Sequence, residues 1–285
     1  MSDNDIHTVE GLTAQLASMV RERTAMPAVE LYVEAADGSP VRAPGALRSM
    51  PASALAHPGL TDSKYGGPYP LPAGWDEARD PSTGAPLHLL AQWNFALLPK
   101  LDGYPDDGLL QVFLAEDADA DLPWQIRYVP AALLAGVRAV EPQWPDEAYN
   151  LPFNGPDVTY KLCGEPVMSA MDTTDAGFEP LLDECLDLLG DDARDLYDEE
   201  YDEASDRMFH LLSADGHRLG GHPMFTQDDP RTWMDDGGEL VMVAQINSIE
   251  FSMMLGDNGI GHVFVPAQAL RERDFTKAEY QWDCY

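Results

Sequence analysis

The sequence is poor in positive charge. Its 285 residues include 17 Lys and Arg against 50 Asp and Glu, which gives a formal net charge of −33. Nucleic-acid binding depends on Lys and Arg contacts to phosphates, so a chain this acidic cannot neutralise a phosphate backbone over most of its surface. Anionic lipid headgroups repel it for the same reason. We therefore expect no direct nucleic-acid binding and no membrane partner.

Cysteine and long apolar runs are also scarce. The three cysteines, Cys163, Cys185 and Cys284, are an odd number without a C-x-x-C pair, so no disulfide framework is predicted. No apolar stretch reaches the roughly 18 residues of a membrane span, and no basic segment followed by an apolar one opens the sequence. These absences predict a cytoplasmic protein with reduced thiols.

Catalytic motifs are missing as well. The sequence contains no G-x-S-x-G, no P-loop and no G-x-G-x-x-G. Pairs of carboxylates are expected by number alone among fifty acids, so they do not indicate a glycosidase. His217 and His222 flank a Gly-Gly pair, but without H-x-x-x-H or C-x-x-C spacing they are better interpreted as turn residues. The sequence predicts no catalytic residue, no metal site and no cofactor, and we expect the protein not to be an enzyme.

The N-terminal part has its own organisation. Residues 7–23 carry apolar side chains at spacings of three and four, which predicts an amphipathic helix ended by Pro27. Residues 27–34 alternate as a strand does, and residues 37–62 are rich in Pro and Gly. We therefore expect residues 1–63 to form a helix, a strand and an irregular connection, followed by a single domain over residues 64–285. Short β-segments are predicted at 87–92, 109–114, 125–129, 240–246 and 261–265.

An acidic segment separates the two groups of predicted strands. Residues 172–206 contain fifteen acids and one base, Arg194. Apolar residues follow helical spacing from Phe178 to Leu189, and Gly190 is a predicted C-cap. A second helix is predicted from about Asp191 to Leu212. Its expected inner face is Leu196, Tyr197, Tyr201, Ala204, Met208 and Leu211. The sequence thus predicts a helical insertion, about 172–212, with a packed side and an anionic outside.

Three blocks of sequence occur twice, in the same order and at nearly equal spacing. The strands 87–94 and 240–247 both contain Ala-Gln-x-Asn. A Gly-Gly pair precedes each strand, and Asp-Gly or Asn-Gly follows it. Repeated blocks indicate a duplicated unit, although strand–turn–strand units also resemble one another by chance. We expect an α+β fold, predominantly antiparallel β, with two β-repeats at about 64–130 and 216–275 related by a pseudo-twofold axis. The glutamine ending each strand is expected to be buried and to hydrogen-bond backbone across that axis.

These blocks resemble the YwqG-like family, a bacterial domain of unknown function. The matching runs are Lys64-Tyr-Gly-Gly-Pro-Tyr-Pro-Leu-Pro72, Leu87–Asn94, Leu98-Pro99, Gly108-Leu-Leu-Gln-Val-Phe113, Leu219-Gly-Gly-His-Pro223, Gln245, Gly256-Asp-Asn-Gly259, Val263-Phe264 and Arg273-Asp-Phe275. The resemblance covers roughly residues 64–285, except that the acidic helical segment does not follow it. It implies a mostly β, two-lobed fold without established catalytic residues. It also implies a role as an immunity protein in bacterial competition, an antitoxin that protects a cell from its own toxin.

The acidic segment has two interpretations. A solvated helix surface that keeps the protein soluble explains most charge runs. The more specific interpretation is a binding face for a basic protein, because complementary charge steers association and selects partners. With the resemblance, we expect an immunity protein that binds and neutralises a cognate toxin, a basic nuclease, by stoichiometric contact. The expected partner-binding residues are Asp191, Asp192, Asp195, Tyr197, Asp198, Glu199, Glu200, Tyr201, Asp202 and Glu203, with the two tyrosines as anchors.

Two alternatives remain open at this stage. The protein is a small-ligand binder or an enzyme that uses a cleft between the β-repeats, lined by His88, Gln92, His222 and Gln245. Otherwise it is an acidic scaffold or interaction protein, in which the charge only confers solubility.

Overall fold

The computed structural model describes residues 6–42, 46–115, 124–141, 158–234, 239–249 and 253–285. The α-helices of this part are α1 (Val9–Thr24), α2 (Ala46–Ser49), α3 (Phe178–Leu189), α4 (Asp191–Glu199), α5 (Tyr201–Leu212) and α6 (Ala267–Glu272). The strands are β1 (Met26–Glu34), β2 (Pro40–Val41), β3 (Lys64–Tyr65), β4 (Tyr69–Leu71), β5 (His88–Asn94), β6 (Leu109–Leu114), β7 (Trp124–Val129), β8 (Arg138–Val140), β9 (Tyr160–Ser169), β10 (His217–Gly220), β11 (Leu240–Asn247), β12 (Ile260–Pro266) and β13 (Glu279–Asp283). The helix and strands predicted at the N-terminus and in the two repeats are confirmed, with ends that differ by two residues at most.

Within the described residues, eleven strands form one antiparallel sheet. Its order is β13-β12-β11-β10-β1-β9-β3-β5-β6-β7, with β2 paired to β1, and β4 and β8 form a separate pair. β1 and β9 lie at the centre, in register from Met26 opposite Ser169 to Val33 opposite Leu162. The end strands β7 and β13 contact each other, so the sheet curls around a shared apolar core. This mixture of helices and antiparallel sheet confirms the predicted α+β fold class.

The strand order is symmetric about the central pair. On one side lie β3, β5, β6 and β7, here called the first β-unit, and on the other lie β10, β11, β12 and β13, the second β-unit. β5 and β11 each carry a register irregularity at the same place, just before the Ala-Gln pair. Lys64 lies opposite Gln92 in the first unit, as Arg218 lies opposite Gln245 in the second. A duplication of one unit remains our interpretation of these matched positions.

The two glutamines are fully buried and make matching hydrogen bonds. Gln92 Nε2 donates to two backbone carbonyls at 3.1 and 2.8 Å, and Gln245 Nε2 donates to two at 2.9 and 2.8 Å. The acceptors are Leu60 and Asp62 in the first unit and Ala214 and Gly216 in the second. Each glutamine thus ties its strand to the segment that enters its own unit. The prediction that they bond across the axis was wrong, because these local carbonyls already use both N–H groups.

One difference between the units follows from a proline. In the second unit Gln245 Oε1 accepts a hydrogen bond from Met224 N at 2.9 Å. The matching position in the first unit is Pro70, which has no N–H to donate. There Gln111 Nε2 donates to the first glutamine's Oε1 instead, at 2.8 Å. The counterpart of Gln111 is His262, whose Nε2 lies 2.9 Å from the Met224 carbonyl. The buried polar network is therefore satisfied in both units by different side chains.

The repeated Gly-Gly pairs permit a close backbone approach. Gly67 and Gly221 have φ of +73° and +77°. A Cβ at Gly221 would lie 2.7 Å from Ser169 Cβ and 2.9 Å from Ala28 Cβ. A larger residue at this point would therefore displace both central strands.

Candidate functional site

The acidic segment folds as three helices packed on α1. Apolar residues at helical spacing place one side of each helix in a common core, so that most of the charged residues lie on the outer side. The buried members of this core are Leu12, Leu16, Ala17, Val20, Phe178, Leu182, Cys185, Leu186, Ala193, Tyr197, Ala204, Met208 and Leu212. Gly190, with φ of +95°, ends α3 as predicted. The N-terminal helix thus supports the whole acidic segment.

The single helix predicted over residues 191–212 is divided in the structure. Glu200, with φ −115° and ψ 34°, separates α4 from α5. α4 buries Ala193 and Tyr197, and α5 buries Ala204, Met208 and Leu212. Tyr201, predicted on the inner face, is 55% exposed, and Leu211 also faces solvent. That part of the prediction was wrong, since it assumed one uninterrupted helix.

Thirteen of the fifteen acids of residues 172–206 are exposed, and we call them the acidic face. They are Glu179, Asp183, Glu184, Asp187, Asp191, Asp192, Asp195, Asp198, Glu199, Glu200, Asp202, Glu203 and Asp206. Every acidic residue of the predicted partner-binding set belongs to this face. These carboxylates therefore face solvent and not the helical core.

Few cations neutralise the acidic face. Arg194 bridges Asp183 at 3.0 Å and Asp187 at 2.8 Å, and Arg207 pairs with Glu203 at 2.8 Å. Among the described residues, no Lys or Arg forms a salt bridge with the remaining members of the predicted set, Asp191, Asp192, Asp195, Asp198, Glu199, Glu200 and Asp202. The negative potential of α4 is thus largely uncompensated within this part of the chain.

The positions of the charges along α4 differ in their energetic effect. Asp191 and Asp192 lie in its first turn, where the partial positive charge of the helix N-terminus favours carboxylates. Asp198 and Glu199 lie in its last turn, which has no basic residue, and Glu200 is its C-cap. Carboxylates there oppose the partial negative charge of the helix C-terminus. The dipole of α4 therefore does not explain Asp198 and Glu199, whereas Glu200 is also the N-cap of α5, where a carboxylate is favoured.

Residues 198–203 form the turn from α4 into α5, which we call the α4–α5 corner. Its five carboxylates surround Tyr201, the exposed tyrosine of the segment. Tyr197 is only 5% exposed and contacts Tyr201 edge to face, with ring centroids 6.0 Å apart. Burial raises the pKa of Tyr197 to about 12, and the charge of Glu179 adds to the effect. Tyr197 therefore belongs to the helical core, and Tyr201 alone of the two predicted anchors is exposed to solvent.

The two buried acids of the segment form a junction that the sequence does not predict. Asp172 Oδ2 accepts from Ala214 N at 2.7 Å. Asp175 Oδ2 lies 2.8 Å from an Arg231 nitrogen. Burial alone would raise the pKa of Asp175, but the hydrogen bond from His222 and the charge of Arg231 hold it well below its usual range. This junction fixes the acidic helices to the second β-unit, so the face has a defined orientation.

The four residues of the predicted cleft are not brought together. His88 and Gln92 lie on β5 and Gln245 on β11, and four strands separate them in the sheet order. Both glutamines have zero exposure and are satisfied by the backbone contacts described above. His222 lies beyond β10, with Nε2 2.9 Å from the carbonyl oxygen of Thr24.

The described residues form neither a metal site nor a membrane span. In this part of the chain, no group of three or more His, Cys, Asp or Glu side chains is placed to hold a metal ion. None of the described helices has both the length and the apolar character needed to cross a membrane.

Comparison with known proteins identifies the family. Residues 63–284 match the family described as a domain of unknown function, DUF1963, and the chain belongs to it. The match fits the resemblance to the YwqG-like family based on the repeated motifs. A search of curated proteins finds no match to this chain.

Proposed function

We propose that this member of a family of unknown function binds a basic partner protein through the acidic face, and that the partner is a cognate bacterial toxin that it neutralises by stoichiometric contact. The proposal combines the acidic face with the role implied by the family resemblance. A nuclease is the target class it favours, because a protein that cuts nucleic acid must itself carry a basic, phosphate-binding surface.

The observation that carries the proposal is the set of carboxylates at the C-terminal end of α4. Asp198 and Glu199 lie in the last turn of α4, next to each other and to the negative end of its dipole, so both lower the stability of that helix, whereas Glu200 is shared with α5 as its N-cap. Charge needed only for solubility gains nothing from this placement. A basic partner docked at the α4–α5 corner would relieve both repulsions at once.

Tyr201 supplies the second feature of a docking site. Tyrosine is enriched among interface residues that dominate affinity, because its ring buries much area at low entropic cost. Its ring rests against Tyr197, which the helical core holds in place. A half-exposed ring among five carboxylates suits a partner that combines Lys or Arg side chains with an apolar contact.

The proposal predicts that a gene next to this one encodes the toxin, and co-expression of the two genes is the test. We expect growth rescue and a co-purifying complex whose association rate falls with salt. The triple variant D198N/E199Q/E200Q should bind at least about tenfold more weakly, mainly through slower association. The matched control D102N/D257N/E272Q removes three exposed charges elsewhere and should bind as the natural protein does.

Equal weakening by the two triple variants would mean that only net charge matters, which contradicts a defined face. Unchanged binding by the corner variant would remove the acidic face from the mechanism. Binding without growth rescue would retain a basic partner and refute toxin neutralisation.

A further inference from the structure

A groove with more positive than negative side chains lies where β7 of the first β-unit meets the β4–β8 pair. It has a volume of about 620 Å³ and is lined by residues of the loop after β4, of β7 and of β8. The lining residues are Trp75, Asp76, Glu77, Arg79, Gln125, Arg127 and Arg138. Three guanidiniums thus face two carboxylates, in a protein whose acids outnumber its bases about three to one. The proposed role of the acidic face does not account for this local excess of positive charge.

A single carboxylate holds two of the arginines. Glu77 contacts Arg79 at 3.3 Å and Arg138 at 2.8 Å, and both arginine side chains remain about half exposed. The hydrogen bond from Arg138 holds the pKa of Glu77 below its ordinary value, so this carboxylate stays ionised. Glu77 therefore positions two guanidiniums that it can only partly neutralise.

Arg127 is held without a carboxylate. Its Nη1 donates to the carbonyl of Asp76 at 2.7 Å, and its Nη2 donates to Gln125 Oε1 at 2.9 Å. The guanidinium lies over the Phe113 ring, 5.5 Å from the centroid. Burial lowers the pKa of Arg127, yet an arginine stays charged in proteins. A fixed and partly desolvated guanidinium of this kind is a ready site for an oxyanion.

We propose that this groove binds a small phosphate monoester carrying a planar ring, of the nucleoside monophosphate class. The phosphate would lie against Arg79, Arg127 and Arg138, because three guanidiniums match its three terminal oxygens. The ring would lie against Trp75, which packs on the apolar cluster beneath β4. The volume of the groove, about 620 Å³, falls within the range of small-molecule sites.

The overall charge selects for a small ligand over a nucleic acid. A long polyanion would extend beyond the groove across a protein of charge −33 and be repelled. A monophosphate fits within about one Debye length, roughly 8 Å at physiological salt, so the nearby arginines dominate its energy.

Calorimetric titration of the full chain with AMP, inorganic phosphate, adenosine and citrate tests this inference. We expect saturable 1:1 binding of AMP, about tenfold weaker binding of phosphate, and weaker binding still of adenosine and citrate. Arg138→Gln and Arg79→Gln, both at exposed side chains, should each weaken AMP binding about tenfold. Trp75→Ala should weaken AMP binding and leave phosphate binding unchanged.

Arg42→Gln is the matched control, since Arg42 is half exposed and pairs with one carboxylate, Glu165. It should leave AMP binding unchanged. Absence of binding by both AMP and phosphate, an equal loss in Arg42→Gln and Arg138→Gln, or a preference for citrate would each overturn the inference. The acidic-face variants should bind AMP normally, so either proposal can fail without the other.

Discussion

The two ends of α4 should respond to charge removal with opposite sign. D191N/D192N removes carboxylates that the helix N-terminus favours, and D198N/E199Q removes carboxylates that the C-terminus disfavours. Each dipole interaction is worth about 0.5 kcal/mol at an exposed site. The first variant should therefore lose about 1 kcal/mol and the second should gain about 1 kcal/mol. Both remove two charges, so relief of the overall repulsion cancels in their difference.

The expected difference of about 2 kcal/mol corresponds to about 3 °C in melting temperature for a chain of this length, if unfolding is two-state. Circular dichroism during heating in low-salt buffer measures it. The difference should shrink in about 0.5 M NaCl, because salt screens exposed charges. Equal shifts of the same sign in both variants would refute the reasoning and assign the effect to net charge. It would also remove the energetic argument for a partner at the α4–α5 corner.

Two further predictions concern the buried network of the second β-unit. Burial lowers the pKa of His262 to about 3, so its contribution to stability is complete above about pH 6.5 and is lost progressively as pH falls toward 3. His262→Gln introduces the residue type of Gln111, the matched position in the first unit, and should fold at pH 7. Its urea midpoint should depend less on pH between 6.5 and 4 than that of the natural protein. An unchanged pH dependence would contradict the contribution of His262 to the loss of stability in acid. Gln245→Leu leaves two buried backbone groups and one partly buried one without their hydrogen bonds and should lose about 3 kcal/mol in urea unfolding. Gln268→Leu, at an exposed position of α6, should change stability by less than about 0.5 kcal/mol. Similar losses in these two variants would argue against the network.

Repetition made much of the fold predictable from the sequence. The Gly-Gly, Ala-Gln-x-Asn and Asp-Gly or Asn-Gly blocks recur because each serves the same backbone geometry in both units. The hydrogen bond that replaces the one from Met224 N was not predictable in this way. Pro70 has no N–H to donate to Gln92, and Gln111, which donates in its place, comes from the neighbouring strand β6. Only the register of β5 and β6 shows that Gln111 lies opposite Gln92.

The central strand β9 was not predicted. Gly164 and Pro166 interrupt its pattern, and both residues usually indicate the end of a strand. In the structure, a Cβ at Gly164 would lie 2.7 Å from Val29 Cγ1, so glycine permits the contact with β1. β9 pairs with β3 only at its first two residues, which leaves the stretch around Pro166 paired on one side among the described strands. Tertiary pairing thus overrides local preference here.

The sequence predicted which residues of the candidate site are acidic, but not which tyrosine of the segment is buried and which is exposed. Counting acids located the charge, and helical spacing located its core. The division at Glu200 contains neither Gly nor Pro, so nothing local indicates that Tyr201 turns outward while Tyr197 stays buried. The groove lined by Arg79, Arg127 and Arg138 was not predicted from the sequence, because these arginines come from three separate segments that meet only in the folded chain.

The central position of β1 has a consequence for synthesis in the cell. β1 is made first, but its neighbours are β9 and β10, and Ala28 pairs with Gly220 about 190 residues later. At roughly 5–20 residues per second, the ribosome needs about 10–40 s to supply that partner. During this interval the nascent N-terminal strand has open edges, which other chains can pair with. The late arrival of its neighbours thus leaves β1 open to pairing with other chains for most of the time that the chain takes to be made.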